Sequence, residues 1–346
     1  MGKPFVVLLA AATLLSACRQ ENGAGDDTVD SGVLPDGPDG VGCTALSPRS
    51  VAPEAFVGPD GMEAKMGALI DSAQHTLDIQ MYLWTVTSLA NKVVAAKNRG
   101  VAIRIILDPD EAGNNNVEPI FNSGGVNWKN SSTLYTFSHA KYLIIDGQTA
   151  VIMSMNFNVD AFRAGSGERN YGIVDRDAED VSDLQAIFEQ DWAMANGQPV
   201  MPANLTCTRL VVSPTNSKAR LLAHINSAQS TLDVELMYIS EDSVRMAIGA
   251  AKSRGVTVRA ILEDPQDESI PYLKGLGIPV RIADTFYLHS KLIIADQVAF
   301  VGSENMSFTS LTKNREVGAL VFEPSAFAPI KAQFDKDWTT GTTPAP

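Results

Sequence analysis

Residues 141–146 read Lys-Tyr-Leu-Ile-Ile-Asp and residues 291–296 read Lys-Leu-Ile-Ile-Ala-Asp. A continuous apolar run of this length, closed by a turn-forming residue, predicts a strand buried on both faces. The pattern ahead of each run also repeats. Residues 71–79 (Asp-Ser-Ala-Gln-His-Thr-Leu-Asp-Ile) match residues 226–234 (Asn-Ser-Ala-Gln-Ser-Thr-Leu-Asp-Val), and residues 96–107 match 251–262 at the same offset of 155. Each half predicts a helix (61–73; 217–228) followed by a strand (76–82; 231–238). A second helix then ends at Gly100 or Gly255, where glycine suits the residue after a helix. A buried strand (101–107; 256–262) leads by a loop to the apolar run, and a last helix (181–192; 326–338) closes the half. Alternating helix and strand, twice over, predicts an α/β fold with two pseudo-symmetric lobes, each a mixed sheet flanked by helices.

Two of the chain's four histidines stand at matched places, His139 and His289, each two residues before Lys141 or Lys291. On an extended strand such a pair points to one face. Ser154 and Asn156 follow in the first half, and Gly302, Ser303 and Asn305 in the second. An imidazole, an ammonium, a hydroxyl and an amide together provide a proton-transfer group and several donors for a phosphate. His75 and His224 have no such neighbours and are read as surface or helix residues. Tyr82, Trp84, Met237 and Tyr238 line the cleft mouth or pack in the core. Residues 114–116 and 162–165 are read as loops over the site.

His-x-Lys-x4-Asp followed by Gly-Ser-x-Asn, present twice, resembles the phospholipase D superfamily of phosphodiesterases, from about residue 43 to 338. The resemblance implies a bilobal molecule with one active site at the lobe interface, complete within a monomer. It implies metal-independent, cofactor-free chemistry through a phosphohistidine; the sequence likewise offers no His/carboxylate cluster suited to a metal. His139 is then the expected nucleophile, and His289, paired with Glu316, the general acid. Asn170 aligns with Glu316 in the first half. Lys141, Lys291, Asn156, Asn305, Ser154 and Ser303 are expected around the phosphoryl oxygens. Asp146 and Asp296 are expected to fix the turn after each strand. Met153 departs from the glycine of the pattern.

Composition changes the picture at the ends. Residues 1–17 carry Lys3 and a short apolar run ending at Leu15-Ser16-Ala17-Cys18, which resembles a bacterial lipoprotein signal with Cys18 acylated; Arg19 after it implies sorting to the outer membrane. Residues 18–42 are acidic and Gly-rich, an expected flexible tether. Halves are expected at 43–204 and 205–338, with a disordered tail at 339–346. Cys43 and Cys207 precede the first element of each half and are expected to form a disulfide. A net charge of −13 disfavours a long polyanion as partner. Phospholipid hydrolysis or headgroup exchange is therefore the expected function. The alternatives are an exported nuclease or general phosphodiesterase, and an inactive binding lipoprotein.

Overall fold

The computed structural model describes residues 47–165 and 167–346. The first half runs β1 (Glu54–Val57), α1 (Met62–Ser72), β2 (Thr76–Met81), α2 (Thr87–Asn98), β3 (Ala102–Leu107), α3 (Glu118–Gly124), β4 (Asn127–Asn130), β5 (Lys141–Ile145), β6 (Thr149–Met153), α4 (Val159–Phe162), β7 (Glu168–Arg169), β8 (Tyr171–Asp175) and α5 (Ala178–Ala195). The second runs β9 (Leu210–Ser213), α6 (Ser217–Ser227), β10 (Thr231–Leu236), α7 (Asp242–Ser253), β11 (Thr257–Leu262), α8 (Ser269–Gly275), β12 (Val280–Ala283), β13 (Tyr287–Leu288), β14 (Lys291–Ala295), β15 (Val298–Gly302), α9 (Phe308–Thr312), β16 (Glu316–Val321), α10 (Pro324–Lys336) and β17 (Thr342–Pro344).

The helices form where apolar residues recur at helical spacing: Met62, Met66 and Ile70 are the buried face of α1, and Leu89, Val93 and Ala96 that of α2. At the end of α2, Gly100 takes φ +101° and Val101 N–H reaches back to the Ala96 carbonyl at 3.2 Å. Gly255 (φ +92°) and Val256, bonded to Ala251 at 3.1 Å, repeat this ending after α7. Each terminus turns the chain straight into a parallel strand, β3 on β2 and β11 on β10.

The sheet orders are β1-β8-β6-β5-β2-β3-β4 and β9-β16-β15-β14-β10-β11-β12-β17, the same arrangement twice with one added edge strand. In β5, Leu143 and Ile145 face the outer core of their own lobe, while Tyr142 and Ile144 face a core shared by both lobes. In β14, Ile293 and Ala295 face outward and Leu292 and Ile294 inward. That double burial is why four apolar residues stand in a row. The shared core, completed by Leu184 and Phe188 of α5 and Ile330 and Phe334 of α10, presses the two sheets together behind the starts of β5 and β14.

The C-terminal tail corrects an expectation: β17 pairs antiparallel with β12, Thr342 opposite Ala283. The exposed edge of β12 gives these Thr and Pro residues backbone partners that composition does not reveal. Cys207 is disulfide-bonded; Cys18, Cys43 and the proposed leader and tether lie outside the described residues.

One ion network fastens α5, β8 and the second lobe. The fully buried Arg209 meets Asp175 at 2.8 Å, Asp180 at 2.6 Å and Glu323 at 2.6 Å. Removing the guanidinium strands buried carboxylates, so Arg209→Met is expected to cost about 3–5 kcal/mol in urea unfolding. An unchanged unfolding midpoint would refute that role.

Candidate active site

Lys141 and Lys291 are the first residues of β5 and β14, and His139 and His289 lie just before them. The backbone of each histidine is held by the opposite half. His139 N–H donates to the Arg315 carbonyl at 2.8 Å, and His289 N–H to the Arg169 carbonyl at 3.2 Å. The residue before each histidine is also fixed. Asp108 accepts from Ser138 N–H at 2.6 Å, and Glu263 from Leu288 N–H at 2.5 Å. Each ammonium donates to the carbonyl of its own histidine, Lys291 at 2.7 Å.

The side-chain partners of the imidazoles are crossed too. His139 Nδ1 bonds Glu316 Oε2 at 2.7 Å, and Glu316 Oε1 accepts from Ser310 Oγ at 2.6 Å and Asn314 Nδ2 at 3.0 Å. His289 Nδ1 bonds Asn170 Oδ1 at 3.0 Å, with Ser154 Oγ donating to the same oxygen at 2.7 Å. The expected pairing of His289 with Glu316 is thus corrected. His139 adds to the backbone beside Arg315, so the next residue, Glu316, faces its ring. Comparing one half with the other shows which residues are equivalent, but not that they serve across the interface. Nδ1 is engaged in both rings, and no side-chain partner meets Nε2 of either among the described residues.

Burial of both ammonium groups pulls Lys141 and Lys291 down to about 7, with Glu316 opposing this in each case. His139 is lowered by burial, against the pull of Glu316 and with the push of both lysines. His289 falls well below the usual histidine range through burial and then Lys291, Lys141 and His139, with no carboxylate among its main compensating contacts. Burial raises Glu316, but His139 and Lys141 outweigh it and leave the carboxyl below its ordinary range. The two histidines and two lysines therefore share one electrostatic site.

Asn156 and Asn305 have buried Oδ1 atoms with no hydrogen-bond partner among the described residues. The serines depart from expectation. Ser154 Oγ is engaged with Asn170 and with Tyr171 N–H (3.1 Å), and Ser303 Oγ accepts from Val317 N–H at 3.1 Å, so both hydroxyls tie strands together. Asp146, at φ +54°, accepts from the N–H groups of Gln74 (3.0 Å), His75 (2.7 Å) and Thr76 (2.8 Å); Asp296 does the same for Gln229, Ser230 and Thr231. Tyr82 packs edge-on against His139 with centroids 4.6 Å apart, while Trp84 is core between Phe121 and Phe157. The Met237 sulfur lies 3.9 Å from Lys291 Nζ, and Tyr238 is half-buried. Asn114 is spent on Trp84 N–H, and Arg163 on Asp160. His224 is buried on α6 against the Ile293 carbonyl, its pKa down to about 4, and His75 is exposed. Met153 is accommodated by Gly172 opposite, where an added Cβ would lie 2.8 Å from the Met153 Cβ.

Sequence reasoning missed two carboxyls. Glu168 lies 3.7 Å from His289 Nδ1. Glu304 folds over Gly302 and Gly318, fully buried and without a hydrogen-bond partner among the described residues, and burial raises its pKa well above the carboxylate range. Its first-half equivalent is Met155, which is the one sequence signal that this position belongs to the core. Among the described residues no group of three or more His, Cys, Asp or Glu is placed to hold a metal ion.

A family model described as "Cardiolipin synthase, PLD-like domain" matches residues 66–192 and 221–338. The chain belongs to that family. As a member it is a phospholipase D-type enzyme, and the resemblance read from its paired motifs is confirmed, as is the α/β fold of two phospholipase D-like lobes. The cardiolipin synthase of Alkalihalophilus pseudofirmus is 23% identical over 349 residues, covering 84% of this chain and 67% of its own length. The curated relatives matched in this range are longer, this chain spanning 60–67% of the first few. Among solved structures, the phosphatidylserine synthase of Haemophilus influenzae Rd KW20 superposes with a TM-score of 0.65 at 12% identity, covering 84% of this chain and 87% of that one. The polyphosphate kinase of Porphyromonas gingivalis reaches the same TM-score at 15% identity, over 84% and 48%. The two superpositions establish the fold and leave the substrate open.

The relatives also overturn one expectation. Cardiolipin synthases are enzymes of the cytoplasmic membrane, so the assignment as an exported outer-membrane lipoprotein is withdrawn. That expectation rested on Lys3, the apolar run ending at Leu15-Ser16-Ala17-Cys18 and Arg19 after it, a pattern that does not by itself specify a compartment.

Proposed function

We propose that the chain is a phosphodiesterase working through a phosphohistidine, and that it hydrolyses phospholipids or transfers their phosphatidyl group to an alcohol. The observation that carries this reading is the crossed anchoring: each imidazole is held at Nδ1 by the other half, beside two buried lysines.

In the first step Nε2 of His139 attacks phosphorus, and the bond to the leaving alcohol breaks as His289 gives that oxygen a proton from Nε2, a proton the ring takes up once the anionic diester offsets the lysine charges that keep it neutral in the free enzyme. Attack leaves the His139 ring cationic, and the Glu316 carboxylate at 2.7 Å stabilises that charge. In the second step His289, now neutral, takes the proton of an incoming hydroxyl whose oxygen displaces Nε2 from phosphorus. Lys141, Lys291, Asn156 and Asn305 supply the countercharge and donors for the phosphoryl oxygens. Asp146 and Asp296 act as turn supports, and Asn170 as the ring partner of His289. One chain completes the site.

The lipid substrate rests on the matched family and on the net charge of −13, which gives a long polyanion little purchase. Purified protein incubated with phosphatidylglycerol, cardiolipin, glycerol as acceptor and single-stranded DNA is expected to yield phosphatidic acid or exchanged lipid. Cut DNA beside untouched lipid would refute this reading in favour of a nuclease.

A further inference from the structure

Two three-residue segments face the two catalytic rings, and their order is reversed. The second half has Asn314-Arg315-Glu316 and the first has Glu168-Arg169-Asn170. Strand register makes them equivalent, since Gly302 lies opposite Gly318 and Met153 opposite Gly172. The central arginines do the same work: Arg315 is paired with Asp191 at 2.8 Å and Arg169 with Asp337 at 2.7 Å, while their carbonyls hold the two histidine backbones. The outer residues have exchanged places. In both segments the asparagine donates to the carboxylate two positions away, Asn314 to Glu316 at 3.0 Å and Asn170 to Glu168 at 3.3 Å. The same pair is thus present twice, with the carboxylate against the ring in one copy and the amide against the ring in the other.

We propose that Glu168 is a positioning residue for His289, acting through the side-chain amide of Asn170. A carboxylate only accepts hydrogen bonds, so it turns the Asn170 NH2 group toward itself and the Asn170 oxygen toward His289. Asn158 Nδ2, donating to Glu168 at 2.9 Å, holds the carboxylate in place, and the Ser154 hydroxyl donates to the same Asn170 oxygen. Facing an acceptor, the ring has to donate from Nδ1, which puts the lone pair of its neutral form on Nε2. The charged and titratable groups around His289 are Lys291 on β14, Lys141 on β5, His139 before it and Glu168 on β7. The first three disfavour an imidazolium there, so Glu168 sets the tautomer rather than a standing charge. This tautomer is the one that can accept a proton from the incoming hydroxyl in the second step. For that step the inference rests on the function proposed above; the tautomer itself does not.

The test labels histidine with 15N and reads the ring nitrogens by NMR, His289 being assigned by its absence in His289→Gln. Wild type is expected to show neutral His289 protonated at Nδ1. Glu168→Leu frees the amide to turn over and is expected to give mixed tautomers, while Glu168→Gln keeps an acceptor and restores the wild-type signal. Breakdown of the phosphoenzyme should slow about tenfold or more in Glu168→Leu, with its formation unchanged. A purely structural residue would lower the melting temperature and slow both steps alike. Should Glu168→Leu fail to fold, Glu168→Ala is measured in its place. Wild-type ring signals and breakdown rate in the folded variant would overturn the proposal. Absence of any phosphoenzyme in wild type would instead count against the function proposed above, and the tautomer would still decide the role of Glu168.

Discussion

His139→Ala is expected to lower turnover by about four orders of magnitude or more, with no phosphoenzyme formed. The size follows from the route. Without a nitrogen at that place, phosphorus meets only water, and the split into two easier displacements is lost. Residual catalysis comes from Lys141, Lys291 and the Asn amides, which still bind the anion, so KM should change far less than kcat. Glu316→Gln keeps the ring in place but removes the charge that stabilises its cationic form, and is expected to cost about a hundredfold in kcat. Acid-quenched wild type, digested and mapped, should carry phosphate on His139. Phosphate on His289 would exchange the two roles, and full turnover by His139→Ala would end the shared-cleft mechanism.

The groups proposed to react were legible because duplication prints each His-Lys pair twice. Buried strands β5 and β14, the capping glycines Gly100 and Gly255, and both His-Lys pairs stand at matched places in the chain. What spacing could not show is which copy serves which ring. His139 and His289 take their partners from the opposite half, a relation that exists only once the sheets are pressed together through Tyr142, Ile144, Leu292 and Ile294. Aligning Glu316 with Asn170 was right as a statement of equivalence, and assigning Glu316 to His289 was wrong as a statement of contact.

The two serines carry strand contacts that spacing does not show. A hydroxyl two residues before an asparagine reads as a donor in sequence, but both serines stand where a strand ends, and each accepts from a backbone amide of the neighbouring strand. Glu304 went unnoticed because a glutamate in a polar-looking motif suggests solvent. Met155 at the matched place is the signal that the position is core, and Gly302 and Gly318, whose missing side chains leave room, show how the glutamate folds inward.

The alkaline limb of the pH profile should be steep, and stability should move the other way. Lys141 and Lys291 both lose their protons near pH 7 in the free enzyme because burial penalises the ammonium form. Anion binding needs that form, so kcat/KM is expected to fall as pH rises through 7, approaching about a hundredfold per pH unit once both are deprotonated. A bound phosphate raises the lysine pKa values again, and kcat at saturation should stay flat further into the alkaline range. Lys291→Arg, whose guanidinium does not titrate there, is expected to halve the slope. In the unfolded chain these lysines titrate near 10.4. Between pH 7 and that value the unfolded state therefore binds more protons than the folded one, and the contribution of the pair to stability rises with pH. Urea unfolding across this window separates the two explanations of lost activity. If kcat/KM falls while the unfolding midpoint holds or rises, deprotonation of the site is responsible; a midpoint that falls in step with activity would show the protein unfolding instead, and would remove the lysines from the account.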